Sequence, residues 1–315
     1  MSAIITVDNL VKKYNRAAEP AVKGISFDVE EGSFFAFLGP NGAGKTTTIS
    51  ILTTTLAKTG GNVKIAGYDI DSQSKLVRNN VGIIFQQPSL DPQLSAEENI
   101  RFHACLYGMY AYRPTFRTMP TEYRRRVVEL AEIVGIKDAL FKPIKKLSGG
   151  MQRKLEIIRS LIHTPKVLFL DEPTQGLDAV SRRSLWDYLD TVRKENGTTI
   201  FLTTHYIDEA ENVDKVCVIN KGKLAITGSP DEMKASLMKK ELILDCDDKK
   251  ELIGELNGMG LKCKNDGHLT VAYQGISAQE IIARLKTKLT LLKIQEPTLE
   301  DAYVAYLNQT EGNAR

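Results

Sequence analysis

The chain has 315 residues, enough for two domains at about 150 residues each. Its 42 Lys and Arg against 39 Asp and Glu leave a net charge of +3, without the basic excess that marks a dedicated nucleic-acid binder. Hydrophobic residues at 42% and charged residues at 26% exclude a collagen, a low-complexity chain and a disulfide scaffold. In chain order, Ile4–Val7 and Gly24–Val29 alternate as strands, and apolar Phe34–Leu38 ends in Gly-Pro, as a buried strand entering a turn does. A helix is expected from Lys45, against the poor propensity of Thr46–Thr48 and Thr53–Thr55. Val81–Phe85 is a further apolar strand. Residues 95–165 are expected to be mainly helical, with Val127, Leu130, Ala131 and Val134 at i, i+3, i+4 and i+7. Val167–Leu170 and Thr199–Thr203 are short buried strands around a helix at Ser181–Glu195. This alternation predicts an α/β domain with a mainly parallel sheet.

A boundary is expected near Gly228-Ser-Pro230, giving domains 1–230 and 231–315. In the second, a strand at Leu242–Cys246 precedes a helix at Lys249–Met259 and a hairpin, Leu261–Lys264 with Leu269–Tyr273, around Asn265-Asp-Gly. A helix at Ser277–Thr287, a strand at Leu289–Ile294 and a final helix from Leu299 complete it. The order β-α-β-β-α-β with a tail helix resembles the ferredoxin-like split motif, a small α+β domain. The four cysteines, Cys105, Cys217, Cys246 and Cys263, form no CxxC pair and are expected to be reduced thiols. Asp8 falls where a signal peptide needs its apolar core, and no window approaches the roughly 18 apolar residues of a spanning helix.

Three motifs carry chemistry. Gly39-Pro-Asn-Gly-Ala-Gly-Lys-Thr46 fits G-x-x-x-x-G-K-[ST] between a strand and a helix, the setting that this motif requires. Its glycines turn backbone amides toward phosphate oxygens, Lys45 reaches the terminal phosphates, and the Thr46 hydroxyl can bind Mg²⁺. The site therefore spans Gly39, Pro40, Asn41, Gly42, Ala43, Gly44, Lys45, Thr46 and Thr47. Val167-Leu-Phe-Leu-Asp-Glu172 ends a strand in two carboxylates at the sheet edge where ligands of open α/β sheets bind. There Asp171 would hold Mg²⁺, and Glu172 would polarise an attacking water. Leu147-Ser-Gly-Gly-Met-Gln152 precedes a helix that Ser148 can cap, while Gly149 and Gly150 leave its first amides open to an anion.

With these motifs in this order, residues 3–230 resemble the ATP-binding cassette (ABC) family, whose fold is a P-loop cassette with a helical subdomain, here about 88–160. The resemblance implies further roles. Tyr14 matches the aromatic that stacks on adenine. Gln86 matches the glutamine that senses Mg²⁺ and the attacking water. Gly176-Leu-Asp178 matches the D-loop, and His205 matches the switch histidine at the γ-phosphate. It implies a homodimer in which each ATP lies between one P-loop and the partner's Ser148, Gly149, Gly150 and Gln152. The other histidines, His103, His163 and His268, match no family position and are expected to be structural. The tail motif Glu296-Pro-Thr-Leu-Glu-Asp-Ala-Tyr303 looks like that of the daunorubicin-resistance exporter ATPases. That implies a separate polytopic transmembrane subunit of ABC-2 type and a place on the cytoplasmic face of the cell membrane.

Tyr107–Glu122 is longer and more aromatic than the usual link between Gln86 and the signature, and Tyr110, Tyr112 and Phe116 are expected either to pack locally within an enlarged loop or to form a docking surface for that subunit. Arg124–Arg126 is expected to be a solvated helix face. Two rival functions are weaker. A guanine-nucleotide switch would read its base with Asn-Lys-x-Asp, whereas Asn220-Lys-Gly-Lys223 ends in lysine. A soluble cassette ATPase acting on ribosomes or nucleic acid usually carries two cassettes or a long coiled coil, and this chain shows neither.

Overall fold

The computed structural model describes residues 2–86, 89–175, 177–237, 240–265, 267–273, 276–296 and 298–304. The chain divides into two compact units, Met1–Thr227 and Gly228–Arg315. The first opens with β1 (Ala3–Lys12), β2 (Val22–Glu30), β3 (Phe34–Leu38), α1 (Lys45–Leu52), β4 (Gly60–Ile65), β5 (Tyr68–Asp69), α2 (Ser74–Asn80) and β6 (Val81–Ile84). It continues with α3 (Ala96–Leu106), α4 (Thr121–Ile133), α5 (Gly149–Leu161), β7 (Val167–Asp171), α6 (Ala179–Asn196), β8 (Thr199–Thr204), β9 (Lys215–Asn220) and β10 (Lys223–Gly228).

Six strands form the central sheet in the order β10-β9-β3-β8-β7-β6. The pairs β3/β8, β3/β9, β7/β8 and β6/β7 are parallel, as expected. β3, β7 and β8 are buried along their whole lengths, which is why they read as continuous apolar runs. The second sheet, β2-β1-β4-β5, is antiparallel. Phe27 of β2 joins the two sheets: its ring lies 5.6 Å from Phe35, which in turn lies 5.0 Å from Phe201.

Several elements differ from the sequence expectation. β1 runs on to Lys12 because register shifts after Val7 break its alternation. β4 begins with a glycine pair that reads as a turn, yet Val63 and Ile65 pair with Val7 and Ile5. β9 and β10 meet at Lys221 and Gly222, both at positive φ (48° and 80°), the signature of a two-residue hairpin turn. This turn accounts for the imitation of a guanine-reading motif.

Residues 107–120 contain no α-helix, only a short turn of 3₁₀ helix at Phe116–Thr118, because Gly108, Pro114 and Pro120 punctuate the stretch. A buried network holds it instead. Arg101 (3% exposed) bonds Glu97 at 3.1 Å and the Arg113 carbonyl at 2.7 Å, and the Tyr123 hydroxyl donates to Glu97 at 3.0 Å. Tyr110 and Phe116 pack edge-on against buried Tyr123, so of the three expected docking aromatics Tyr112 stands out on the surface, stacked on Phe102. Arg124 bonds Thr121 and Arg126 pairs with Glu129, as a solvated helix face does. His163 bonds the Val81 carbonyl, His268 meets Asp245, and burial holds the His103 pKa down at about 3.

The second unit comprises α7 (Pro230–Leu237), β11 (Lys240–Cys246), α8 (Lys249–Gly258), β12 (Cys263–Asn265), β13 (Leu269–Tyr273), α9 (Ala278–Arg284) and β14 (Leu289–Gln295). The boundary expected near Gly228-Ser-Pro230 coincides with the division between the units, and α7 starts there. Ser229 and Glu232 exchange cap bonds of 2.8 and 3.2 Å, with Pro230 at the first helical position. The antiparallel strand order is β12-β13-β11-β14, over a core of Leu242, Leu244, Leu252, Leu256, Leu269, Val271 and Ile281. Asp266 of the expected hairpin turn lies outside the described residues, and residues 299–304 are helical. All four cysteines are free. Among the described residues no helix is long and apolar enough to cross a membrane.

Candidate functional site

β3 delivers the chain into the loop 39–44, and α1 begins at Lys45. Gly39 is required there: a Cβ at this position would lie 2.3 Å from the Ile219 carbonyl oxygen on β9. Gly44 caps α1 at φ 112°, with no side-chain cap bond and no acid in the first turn, so the helix amides stay open to an anion. Lys45 is 5% exposed, and its ammonium reaches the Gly39 carbonyl at 2.7 Å and Glu172 Oε1 at 3.5 Å. Burial pulls its pKa below the usual lysine range, against the opposing pull of Glu172. The Tyr14 hydroxyl lies 3.2 Å from that of Thr47, and Lys12 sits 5.3 Å over the Tyr14 ring.

Asp171 ends β7 at 4% exposure, bonded by the Thr203 hydroxyl of β8, and burial raises its carboxyl pKa. Glu172, 8% exposed, adopts φ 47°, a left-handed conformation that costs about 1–3 kcal/mol in a non-glycine residue. Its amide donates to the Thr203 carbonyl at 3.1 Å, which holds the turn. The turn aims the carboxylate at three partners: Lys45, His205 Nδ1 at 3.2 Å and Gln86 Nε2 at 3.3 Å. Gln86 also donates to Gln175 at 2.8 Å. The cleft above them is about 190 Å³, and its lining includes Asn41, Gly42, Lys45, Thr46, Gln86 and Glu172. A larger cavity of about 530 Å³, around Trp186 and Arg182, holds none of these side chains.

The signature residues lie elsewhere. Ser148 caps α5 by accepting from the Met151 amide at 3.3 Å, and neither it nor Gly149 nor Gly150 lines the 190 Å³ cleft. Gln152 uses its amide on the Leu147 carbonyl at 3.1 Å, so it braces the turn before the helix. Asp178 caps α6 by accepting from the amide and hydroxyl of Ser181 at 2.9 and 2.8 Å; its neighbour Gly176 lies outside the described residues. No motif marks Thr203, Gln175 or Arg153. Buried Arg153 on α5 donates to the Phe85 carbonyl at 2.6 Å and the Pro173 carbonyl at 3.1 Å, which ties the signature helix to the strand end before Gln86 and to the turn after Glu172. The signal for it was a charged pair, Arg153 and Glu156, spaced to share one face of the helix.

Among the described residues no three His, Cys, Asp or Glu side chains are grouped to hold a metal ion. Mg²⁺ at phosphate sites is usually held by one or two carboxylates together with the substrate's phosphates. The donor set fits that: Asp171, hydrogen-bonded by Thr46 and Thr203, is a buried oxygen ligand beside the phosphate loop.

An anion-binding loop, an acidic pair and a glutamine and histidine converging on one carboxylate define a P-loop nucleoside-triphosphate hydrolase. Residues 22–175 match the model of the ABC transporter family. The chain is 39% identical over 234 residues to the daunorubicin/doxorubicin resistance ATP-binding protein DrrA of Streptomyces peucetius, covering 74% of this chain and 67% of that one. It is 34% identical over 305 residues to the Nod factor export ATP-binding protein I of Paraburkholderia xenovorans, covering 96% of both. Among solved structures it is similar to the dimeric, ADP- and phosphate-bound cassette MJ0796, at 27% identity and a TM-score of 0.63, covering 71% of this chain and 98% of that one. The chain belongs to the ABC transporter family, and within it is an ATP-binding ATPase that yields ADP and phosphate.

Proposed function

We propose that this chain is the ATP-hydrolysing subunit of an exporter, closing head-to-tail as a homodimer on two Mg-ATP and driving a separate ABC-2-type permease. The observation that carries the dimer is the separation of the two phosphate-binding elements. The P-loop cleft holds about 190 Å³, below the ~300–1,000 Å³ of a complete ligand pocket, and the signature serine and glycines lie outside it. A second copy would complete each half-site. Ser148, Gly149 and Gly150 then face the partner's γ-phosphate, Asp178 holds the adjoining turn, and Tyr14 packs on the adenine.

Lys45 pairs with Glu172 across the cleft. An arriving γ-phosphate takes Lys45 and leaves Glu172 to accept a proton from the attacking water, with Gln86 and His205 orienting water and phosphate. Mg²⁺, when bound, screens the phosphate charge, and Thr46, Asp171 and Gln86 are the residues that would hold it. Export and the permease rest on similarity to the export ATP-binding relatives, and peripheral attachment to the cytoplasmic membrane face follows from them. The test is capture of the Glu172→Gln protein from detergent-solubilised native membranes with ATP. One polytopic membrane protein of about six spans should come with it, whereas ribosomes or nucleic-acid enzymes in its place would overturn the exporter reading.

A further inference from the structure

The sheet of the second unit has two unlike edges. β12 is three residues long, and its Lys264 and Asn265 are exposed, the short polar form that discourages strand pairing. β14 is seven residues long and, among the described residues, pairs on one side only, with β11. It nevertheless carries exposed Leu291, Leu292 and Ile294, at 36%, 45% and 49%. Leu292 and Ile294 stand opposite Leu244 and Leu242, both fully buried, so they share the face of the hydrophobic core and extend it to an open rim. An exposed apolar edge of this length is a template for another strand.

We propose that β14 pairs antiparallel with β14 of a second copy, joining two four-stranded sheets into one of eight strands without any need for nucleotide. The strand is complementary to itself about its midpoint, Leu292. In that register all seven residues pair: Leu292 faces the partner's Leu292, Thr290 the partner's Ile294, and Leu291 the partner's Lys293. Just beyond the strand ends, Lys288 falls opposite the partner's Glu296. No like charges are opposed, whereas a register centred one residue later would set Lys293 against the partner's Lys293. The two helix-covered faces then lie on the same side, and the exposed leucine and isoleucine side chains close over each other.

The test is made on the full chain without nucleotide, so it is separate from the ATP-dependent closure proposed above. Leu292→Cys should cross-link to itself under mild oxidation, because directly opposed Cα atoms lie about 4.5–5.5 Å apart, within disulfide reach. Thr290→Cys should not, since its two copies would stand about 13 Å apart along the strands. Sedimentation should show a concentration-dependent species of twice the monomer mass, lost in Ile294→Lys while ATP hydrolysis is retained. A chain that is monomeric at all concentrations, or Thr290→Cys cross-linking in preference to Leu292→Cys, would overturn the proposal. If the nucleotide-free dimer is present and ATP closure absent, the error lies in the head-to-tail reading and not in this one.

Discussion

Glu172 reaches its three partners only because its backbone leaves the allowed right-handed and extended regions, at φ 47°. Glu172→Gln keeps that geometry and removes the proton acceptor. It should retain ATP binding and slow hydrolysis by about 10²–10⁴-fold, measured by phosphate release. Turnover near the parent rate would mean another group takes the proton. Asp171 gives a prediction of opposite sign for stability. Burial raises its folded pKa above the unfolded value, so between the two values the native state holds an extra proton. Stability therefore falls as pH rises through that window. At neutral pH the buried charge is a cost to the fold, and Asp171→Asn should melt higher than the parent at pH 7. The gain should shrink as pH falls toward 4, and a lower melting temperature at pH 7 would contradict this account. At this scale the P-loop, the acidic pair and the signature were legible as contiguous motifs. Thr203 and Gln175 were not, because nothing local distinguishes a threonine in a strand from one that holds a carboxylate 32 residues away.

At the scale of elements, the sequence misled where local propensity and tertiary use diverge. The threonines in and after α1 are poor helix formers, yet Thr48 within it and Thr53 at its C-cap bond the carbonyls of Gly44 and Ile49 at 2.9 and 2.8 Å, so helix carbonyls satisfy their hydroxyls. β4 was hidden by its glycines, and β9 by a composition that only its place beside β3 makes sense of. The stretch 107–120 lies within the region 95–165 that the sequence predicts to be mainly helical, but it is an irregular segment fastened by a buried ion pair. Arg101→Ala would leave Glu97 buried and uncompensated and would release the Arg113 carbonyl. It should cost about 3–5 kcal/mol in denaturant unfolding and open 107–120 to limited proteolysis. A loss below 1 kcal/mol would show that the network is not what fastens the segment.

At the scale of the whole molecule, partner recognition falls to side chains that the fold leaves outside. Tyr112 (57% exposed) on Phe102 (40% exposed) is an exposed pair proposed for that role, whereas Tyr110 and Phe116 are committed to Tyr123. The double variant Phe102→Ala with Tyr112→Ala should reduce co-purification of the proposed permease several-fold with nucleotide binding unchanged; full recovery of that complex would remove this patch from the proposed interface. The sheet order has a consequence for biosynthesis. β3, the strand that delivers the phosphate loop, is flanked by β8 and β9, encoded at Thr199–Thr204 and Lys215–Asn220. A ribosome elongating at about 5–20 residues per second needs on the order of 10–30 s to travel from the end of β3 to the end of β8. Throughout that interval the nascent Phe34–Leu38 has neither lateral neighbour, so one of the most apolar segments of the chain is open to aggregation until β8 is made.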